Sequence, residues 1–473
     1  MDELVGWAKS HGAALHPSVE VYNDSNTGNS FRVSPDGAGV NPGDTIVTCP
    51  LVLTLSYLNA TTTPNPGFHH GSSSQAFPSS FLESVPPHVI SRFFLIKQYL
   101  QGPSSFWHPY IKTLPQPTNL AAWALPPLWP TDDIELLEDT NAHVAIAEIK
   151  SRLKAEHKHA LAAFGDHPAR HDYTRLLYNW AYCIFTSRSF RPSLVIPAHR
   201  QHTLSLPEGC AIDDFSLLMP LFDVGNHSPT ARIAWETSDD AARDEEATVG
   251  LRTLDTYAPG AQVFNNYGTT KTNAELMLAY GFTIPESEVL HNDYVHVQKR
   301  GDGAGAAASG INKPKDYLIS LRPVSDPSSV AARSGQLLSD VDGDAILPLF
   351  RHVQDVMVWE LVLAQTTAEQ RSEMIPVPEG SNDDDGSKAD LERLRMILTG
   401  RVPAATQPLL FQTIGIIQHK VLQELERLDQ SEFEMEEAEA TRNQIMAYRY
   451  RRQCRKVLES VLESMEMPDE AAS

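Results

Sequence analysis

The sequence predicts an α+β protein in which a region of mixed strands and helices precedes a helical region. Short apolar segments bounded by turn residues recur over roughly the first 60 positions and again over 217–283, as in small β-sheets. Apolar residues spaced three and four positions apart dominate from about 315 onwards, which is typical of amphipathic helices. We therefore expect a first domain over 1–284, a linker over 285–314 and an all-α domain over 315–473.

Local patterns place the individual elements. Apolar, β-branched runs next to turn signals predict strands at 30–33, 45–48, 233–235, 248–254 and 262–265. Helical spacing predicts helices at 142–164, 173–185, 273–280, 414–428 and 450–465.

Composition and charge exclude several classes of function. With 38 basic and 60 acidic residues the net charge is −22, which argues against a broad nucleic-acid surface and fits either a basic protein partner or simple solubility. No apolar stretch is long enough to span a membrane, and the first residues lack the features of a secretory signal. We expect a cytoplasmic or nuclear protein that contacts neither membrane nor nucleic acid directly.

The four cysteines are too widely spaced for a zinc site or a disulfide framework: Cys49, Cys183, Cys210 and Cys454. The sequence also lacks the HExxH, GxSxG and GxxxxGK[ST] patterns of metalloproteases, serine hydrolases and P-loop proteins. We therefore predict no metal site.

Two dense segments carry candidate chemistry. The first places Asp223, Asn226 and His227 in a turn after an apolar run, and the second ends a strand with Tyr267 before a short helix that reaches Tyr280. Taken singly, each of these residues also fits a structural role, because Asn and His satisfy backbone groups of turns and tyrosines pack at half-buried positions.

Together the two segments resemble the SET domain, in the branch that contains the plant Rubisco large-subunit lysine methyltransferase and its fungal and animal relatives. That branch has an Asp-x-x-Asn-His signature, then Tyr-Gly, Asn-x-Glu and Tyr-Gly-Phe. The corresponding residues here are Asp223-Val-Gly-Asn226-His227, Tyr267-Gly268, Asn273-Ala-Glu275 and Tyr280-Gly281-Phe282. Further stretches that resemble the family are Ser105-Phe-Trp107-His-Pro109-Tyr110, Leu114-Pro115, Trp180-Ala181 and Ser187-Arg188-Ser-Phe190.

The resemblance implies a fold and an activity. The fold would be a SET domain of small twisted β-sheets with a pseudoknot, in which the Asn226-His227 segment lies beneath the Tyr267 strand. A helical insertion would occupy about 75–205, and a helical substrate-binding domain would follow. The activity would be methyl transfer from S-adenosyl-L-methionine to a lysine of a non-histone protein, such as a ribosomal or translation-related one, by in-line displacement without a metal.

The resemblance also implies residue roles. Tyr267 matches the catalytic tyrosine, whose hydroxyl orients the methyl group and the incoming amine. The residues that match cofactor contacts are Gly28, Asn29, Phe31, Arg188, Asn226, His227 and Tyr267, with Arg188 meeting the cofactor carboxylate. The residues that match the substrate channel are Phe190, Phe222, Asp223 and Tyr280, although Asp223 fits equally a role as the cap of its turn.

Two positions qualify this assignment. Ser30 stands where the family has a second glycine, and a side chain restricts the backbone where it approaches a ligand closely, which bears on cofactor affinity at this loop. Phe190 stands where the histidine-directed branch has Asn, which favours lysine as the acceptor. A protein-histidine methyltransferase and a non-catalytic SET-fold binding protein are the alternatives.

Overall fold

A computed structural model describes most of the chain. The described residues are 1–25, 27–70, 77–238, 247–285, 293–298, 316–334, 337–338, 341–342, 345–378, 387–436 and 438–465. Most of the linker predicted over 285–314 lies outside them, namely 286–292 and 299–314.

The chain divides into two compact units. The first unit comprises Met1–Trp129, Ala147–Thr269 and Ala279–Gly281. The second unit comprises Pro130–Ile146, Thr270–Leu278 and Phe282–Ser473.

The strands are short and antiparallel. In chain order they are β1 Ala14–Leu15, β2 Val19–Asp24, β3 Gly28–Val33, β4 Thr45–Pro50, β5 Ser189–Phe190, β6 Leu217–Leu218, β7 Ile233–Ser238, β8 Thr248–Thr253, β9 Gln262–Val263, β10 Tyr294–Gln298 and β11 Asp316–Ser320. Those of the first unit form sheets with the orders β1-β4-β8-β7, β2-β3-β9 and β5-β6, and β10 pairs with β11 in the second unit.

Alternation of side chains explains why the central strands fold as they do. In β8, Val249, Leu251 and Thr253 are buried while the residues between them are half-buried. Because successive side chains of a strand point to opposite faces, this pattern turns one face of the sheet into the core. The strands that the sequence predicts in the first unit are present, within a few residues at their ends.

The longer regular elements of the described residues are helices. In chain order they are α1 Asp2–Ser10, α2 Ser79–Ser84, α3 Pro87–Gln101, α4 His108–Ile111, α5 Leu120–Trp123, α6 Thr131–Glu135, α7 Asn141–Ala163, α8 Arg175–Arg188, α9 Pro192–Val195, α10 Ala198–Gln201, α11 Asn273–Tyr280, α12 Val330–Arg333, α13 Asp355–Gln365, α14 Ala368–Met374, α15 Ser387–Leu398, α16 Gln407–Gln430 and α17 Arg442–Ser464. None of the described helices is both long enough and apolar enough to cross a membrane.

A buried ionic cluster joins α3, α7 and α8 inside the predicted insertion. The Glu156 carboxylate accepts hydrogen bonds from Arg92 Nη1 at 2.7 Å and from the Tyr178 hydroxyl at 2.7 Å. His88 Nε2 lies 3.1 Å from the same carboxylate, and Arg92 Nη1 also contacts the Tyr178 oxygen at 2.8 Å. Only 13% of the Glu156 side chain is exposed, so these partners replace the water that the charge has lost.

The second unit is largely helical, as the sequence predicts. The apolar steps of α16 and α17 are buried, including Ile417 and Val457, and a capping box between Thr441 and Gln444 begins α17. One difference is that residues 316–320 form a strand within a segment predicted to be helical. The run Tyr-Leu-Ile is buried on both faces there, and β11 pairs with β10 along its full length.

Candidate active site

Backbone hydrogen bonds bring the two motif segments together. Asn265 N donates to the Asn226 carbonyl at 2.7 Å, and Ser228 N donates to the Asn265 carbonyl at 2.9 Å. His227 and Asn265 are thereby paired in parallel, although 38 positions separate them in the sequence. The arrangement is the crossing that the resemblance implies, with the Asn-His turn held against the segment that ends in Tyr267.

A third segment reaches the same place from the N-terminal loop. The Asn226 side-chain amide donates to Thr27 Oγ1 at 2.8 Å. Thr27 is fixed in turn by Asp24, whose Oδ1 accepts from the Thr27 backbone N–H at 2.9 Å. Gly28 follows with φ +78°, a left-handed conformation that side chains rarely adopt. Two of the predicted cofactor residues, Gly28 and Asn226, therefore lie on contacting segments.

His227 and Tyr267 are joined through both backbone and rings. The Tyr267 backbone N–H donates to His227 Nδ1 at 3.0 Å, which requires that Nδ1 carry no proton. The two rings stack with centroids 5.0 Å apart, and the Tyr280 ring stacks on Tyr267 at 4.8 Å. Three residues predicted from the motifs thus form one aromatic stack.

The Tyr267 hydroxyl has a fixed direction. It donates to the Gly225 carbonyl at 3.0 Å, so its proton is engaged and its lone pairs remain available as acceptors. Burial raises the pKa of this phenol, and the nearby Arg188 charge opposes the shift only in part. The hydroxyl therefore stays protonated at neutral pH.

Arg188 and Asp223 form a buried ion pair beside this tyrosine. Arg188 Nη1 lies 3.4 Å from Asp223 Oδ2 and 3.5 Å from the Asp223 carbonyl oxygen. The Asp223 side chain is 2% exposed and the Arg188 side chain 30% exposed. Tyr110 donates its hydroxyl to Asp223 Oδ2 at 2.8 Å. Burial raises the pKa of the Asp223 carboxyl, and the Arg188 charge and the Tyr110 hydrogen bond counteract it.

This geometry changes the role expected for Asp223. Its Oδ2 is already engaged, and the carboxylate is almost completely enclosed, so a direct bond to a protein substrate has little room. Leu221, two residues before Asp223, is buried with φ +70°, an unfavourable conformation for a residue with a side chain. The structure favours Asp223 as the holder of Arg188.

An aromatic cluster stands where the substrate channel is predicted. The Phe190 ring meets the rings of Phe222 and Trp235 edge to face, with centroids 5.3 Å and 5.2 Å away. Trp235 is half-buried and donates its Nε1–H to Asn265 Oδ1 at 3.0 Å. Sequence reasoning missed Trp235, for which the only signal was a large aromatic residue within strand β7.

Two predicted contact residues are fully buried. Phe222 is 0% exposed behind Phe190 and Trp235, so it supports the aromatic wall and does not form its surface. Phe31 is also 0% exposed, and its ring lies so close to Gly225 that an added Cβ there would come within 3.4 Å of it. Phe31 therefore supports the backbone that accepts the Tyr267 hydrogen bond, where a direct cofactor contact was expected.

The cofactor loop accommodates its unusual serine. The Ser30 side chain is buried, and its hydroxyl accepts a hydrogen bond from Gln262 Nε2 at 2.7 Å. Asn29 Oδ1 accepts from the Asn23 amide at 3.2 Å across β2 and β3. The Ser30 side chain thus lies on the buried side of β3, next to Gln262. Its hydroxymethyl group does not occupy the exposed side of the loop.

Among the described residues no three or more His, Cys, Asp or Glu side chains cluster as metal ligands would.

The architecture matches that of solved methyltransferases. A crystal structure of the SET domain of LSMT bound to methyl-lysine and AdoHcy superposes with a TM-score of 0.63, covering 98% of this chain and 90% of that one, at 16% identity. The chain has the SET-domain fold. The fold class predicted from the sequence is confirmed. A structure of Rubisco LSMT bound to AdoMet matches with a TM-score of 0.60 at 15% identity, covering 98% of this chain and 91% of that one.

Curated relatives of this SET-domain chain include fungal enzymes. The ribosomal lysine N-methyltransferase set10 of Schizosaccharomyces pombe is 30% identical over 314 residues, 63% of this chain and 50% of that protein. The protein-lysine N-methyltransferase EFM1 of Saccharomyces cerevisiae is 23% identical over 60% of this chain and 49% of its own length. The chain spans about half the length of these relatives. No family model matches the sequence. The predicted resemblance to SET-domain lysine methyltransferases with fungal members is confirmed.

Proposed function

We propose that the chain is an S-adenosyl-L-methionine-dependent protein-lysine N-methyltransferase. The observation that carries this proposal is the convergence of the oriented Tyr267 hydroxyl, the Asn226–Thr27 contact and the partly exposed Arg188 in one place. The relatives set10 and EFM1 are both named as lysine methyltransferases, which supports the same activity.

The described residues fit S-adenosylmethionine. Among them, none accepts a hydrogen bond from Arg188 Nε or Nη2, so the guanidinium keeps donors for a carboxylate while Asp223 holds Nη1. The segments of Gly28–Asn29 and Asn226–His227 supply backbone and amide groups for the remainder of the molecule. When bound, S-adenosylmethionine supplies an electrophilic methyl group on a sulfonium.

Tyr267 and the aromatic wall perform complementary tasks. The Tyr267 oxygen offers lone pairs to polarised methyl hydrogens, while its proton is donated to the Gly225 carbonyl. The acceptor lysine must lose a proton to solvent before it can attack, and its ordinary pKa is about 10.4. Burial of the amine against Phe190 and Trp235 removes water from the ammonium form and so lowers that pKa.

The same wall selects lysine over histidine. Phe190 packs against aromatic rings and offers no hydrogen bond to an imidazole, whereas the aliphatic stem of lysine gains from apolar contact. We expect Phe190→Asn to lower lysine methylation about tenfold, because a polar group in the wall stabilises the ammonium. Initial rates on a lysine substrate measure the effect, and an unchanged rate would remove Phe190 from the acceptor site.

The proposed substrate is a basic, non-histone protein of the ribosome or of the translation machinery. The net charge of −22 favours encounter with a positively charged partner. The name of set10 points to a ribosomal protein in that relative. All of the cysteines are free, which fits the reducing cytoplasm or nucleus.

Labelling of a lysate tests the proposal. The protein is incubated with radiolabelled S-adenosylmethionine and a hypomethylated lysate, and the labelled band is identified by mass spectrometry. We expect label on the side-chain nitrogen of a lysine in a basic protein. Label on histidine would establish the alternative acceptor. The absence of label, together with no S-adenosylmethionine binding by calorimetry at high micromolar concentration, would indicate a non-catalytic protein.

A further inference from the structure

Tyr110 is a buried residue to which the proposed function assigns no role. It lies on α4, in the stretch Ser105–Tyr110 that resembles the family, and its side chain is 1% exposed. The position is held by Trp107, whose Nε1–H donates to the Leu53 carbonyl at 2.9 Å and whose carbonyl accepts from the Tyr110 backbone N–H. The buried ring on this fixed backbone therefore keeps its hydroxyl next to Asp223.

The hydrogen bond from Tyr110 is the shortest contact that the Asp223 carboxylate makes. The distance to Oδ2 is 2.8 Å, against 3.4 Å for Arg188 Nη1 to the same oxygen. The other oxygen, Oδ1, is buried and has no hydrogen-bond partner in the described part of the chain. The direction in which Asp223 presents its charge to Arg188 thus depends mainly on Tyr110.

The orientation of the Asp223 carboxylate in turn determines the orientation of the partly exposed Arg188. Asp223 holds one amino group of the guanidinium, and because the guanidinium is planar this also fixes the direction of its remaining N–H donors. A rotation of the carboxylate would release that amino group and let the guanidinium reorient. Because Arg–carboxylate pairing needs both N–H groups aligned, misalignment weakens it strongly.

We propose that Tyr110 is a positioning residue of the cofactor site, which sets Asp223 and through it aligns Arg188 for the carboxylate of the bound cofactor. This inference rests on the proposed function. It adds Tyr110, which lies 113 positions before Asp223, to Arg188 as a residue of the predicted insertion that acts in cofactor recognition.

A pair of ligands that differ only in the carboxylate tests the inference. Tyr110→Phe removes the hydroxyl and keeps the ring. We expect it to raise the Kd for S-adenosylhomocysteine about tenfold, as a lost hydrogen bond to a charged group does. The Kd for S-adenosyl-3-thiopropylamine, the decarboxylated form, should change less than twofold. Calorimetry on the full chain measures both constants.

Tyr178→Phe is the matched control, because Tyr178 is another buried tyrosine that donates to a buried carboxylate, that of Glu156. It should leave both dissociation constants within twofold. An equal loss for both ligands in Tyr110→Phe would show a merely structural role and overturn the inference while the proposed function stands. If the unmodified protein bound neither ligand, the proposed function itself would fall.

Discussion

Replacing Tyr267 with phenylalanine is expected to slow methyl transfer by on the order of 10²-fold while the Kd for S-adenosylhomocysteine stays within about twofold. The ring keeps its stacking on His227 and Tyr280, and the backbone N–H of residue 267 keeps its bond to His227 Nδ1. What is lost is the hydroxyl oxygen, which is held by its hydrogen bond to the Gly225 carbonyl and is proposed to contact the reacting methyl group. An interaction made mainly in the transition state affects turnover more than binding.

Single-turnover labelling and calorimetry measure the two quantities separately. Tyr257→Phe serves as the control, because Tyr257 is a half-buried tyrosine near the Val40 bridge and outside the site. Its rate should match that of the unmodified protein. Full activity in the Tyr267 variant would mean that a different group orients the methyl.

Replacing Glu156 with glutamine is expected to lower the free energy of unfolding of the first unit by about 3 kcal/mol. The substitution keeps the shape of the side chain but leaves Arg92, which is itself buried, without its counter-charge. Chemical denaturation followed by tryptophan fluorescence measures the loss. Glu236→Gln is the control, since Glu236 pairs with Arg252 on the surface with side chains 51% and 40% exposed, and should cost less than about 0.5 kcal/mol.

The same carboxylate predicts how stability depends on pH. Burial by itself would raise the pKa of Glu156, but the His88 hydrogen bond, the Arg92 charge and the Tyr178 hydrogen bond outweigh it and lower the pKa from 4.5 to about 2. A depressed folded pKa means that the stabilisation is present above pH 4.5 and is lost as the pH falls towards 2. Between pH 6 and pH 3 the unmodified protein should lose about 2 kcal/mol more than Glu156→Gln. Equal slopes for the two proteins would contradict this assignment.

Long and periodic elements were predictable from the sequence. The helix expected at 142–164 is Asn141–Ala163, and the helix expected at 273–280 is Asn273–Tyr280. In each helix the spacing of apolar residues, which involves only nearby positions in the sequence, indicates the helix. The helix Asp2–Ser10 was not predicted, because it is short and buries only Leu4 and Ala8.

The residues of the site likewise fall into two groups: those that sequence motifs identify, and those whose role depends on contacts between distant positions. Asn226, His227 and Tyr267 were identified because the motif segments are compact in sequence, and the structure brings them together. Trp235 reaches the site only through a contact that spans 30 positions, so no local pattern marks it. Tyr110 lies in a stretch that resembles the family, but its contact with Asp223 spans 113 positions, so its role could not be read from that stretch. The burial of Phe31 and Phe222 was equally hidden, since an apolar residue beside a ligand and one behind it look alike in sequence.

The pairing of Asn226–Ser228 with Asn265 has a consequence for biosynthesis. Thr27 and Asn226 leave the ribosomal exit tunnel well before Asn265, and the backbone groups that hold the Asn-His turn belong to this later residue. Contacts between distant positions form late, because the intervening chain must first be ordered. A growing polypeptide therefore carries an unfinished site until the residues around Tyr267 have emerged, and ligand can assist folding only after that point in translation.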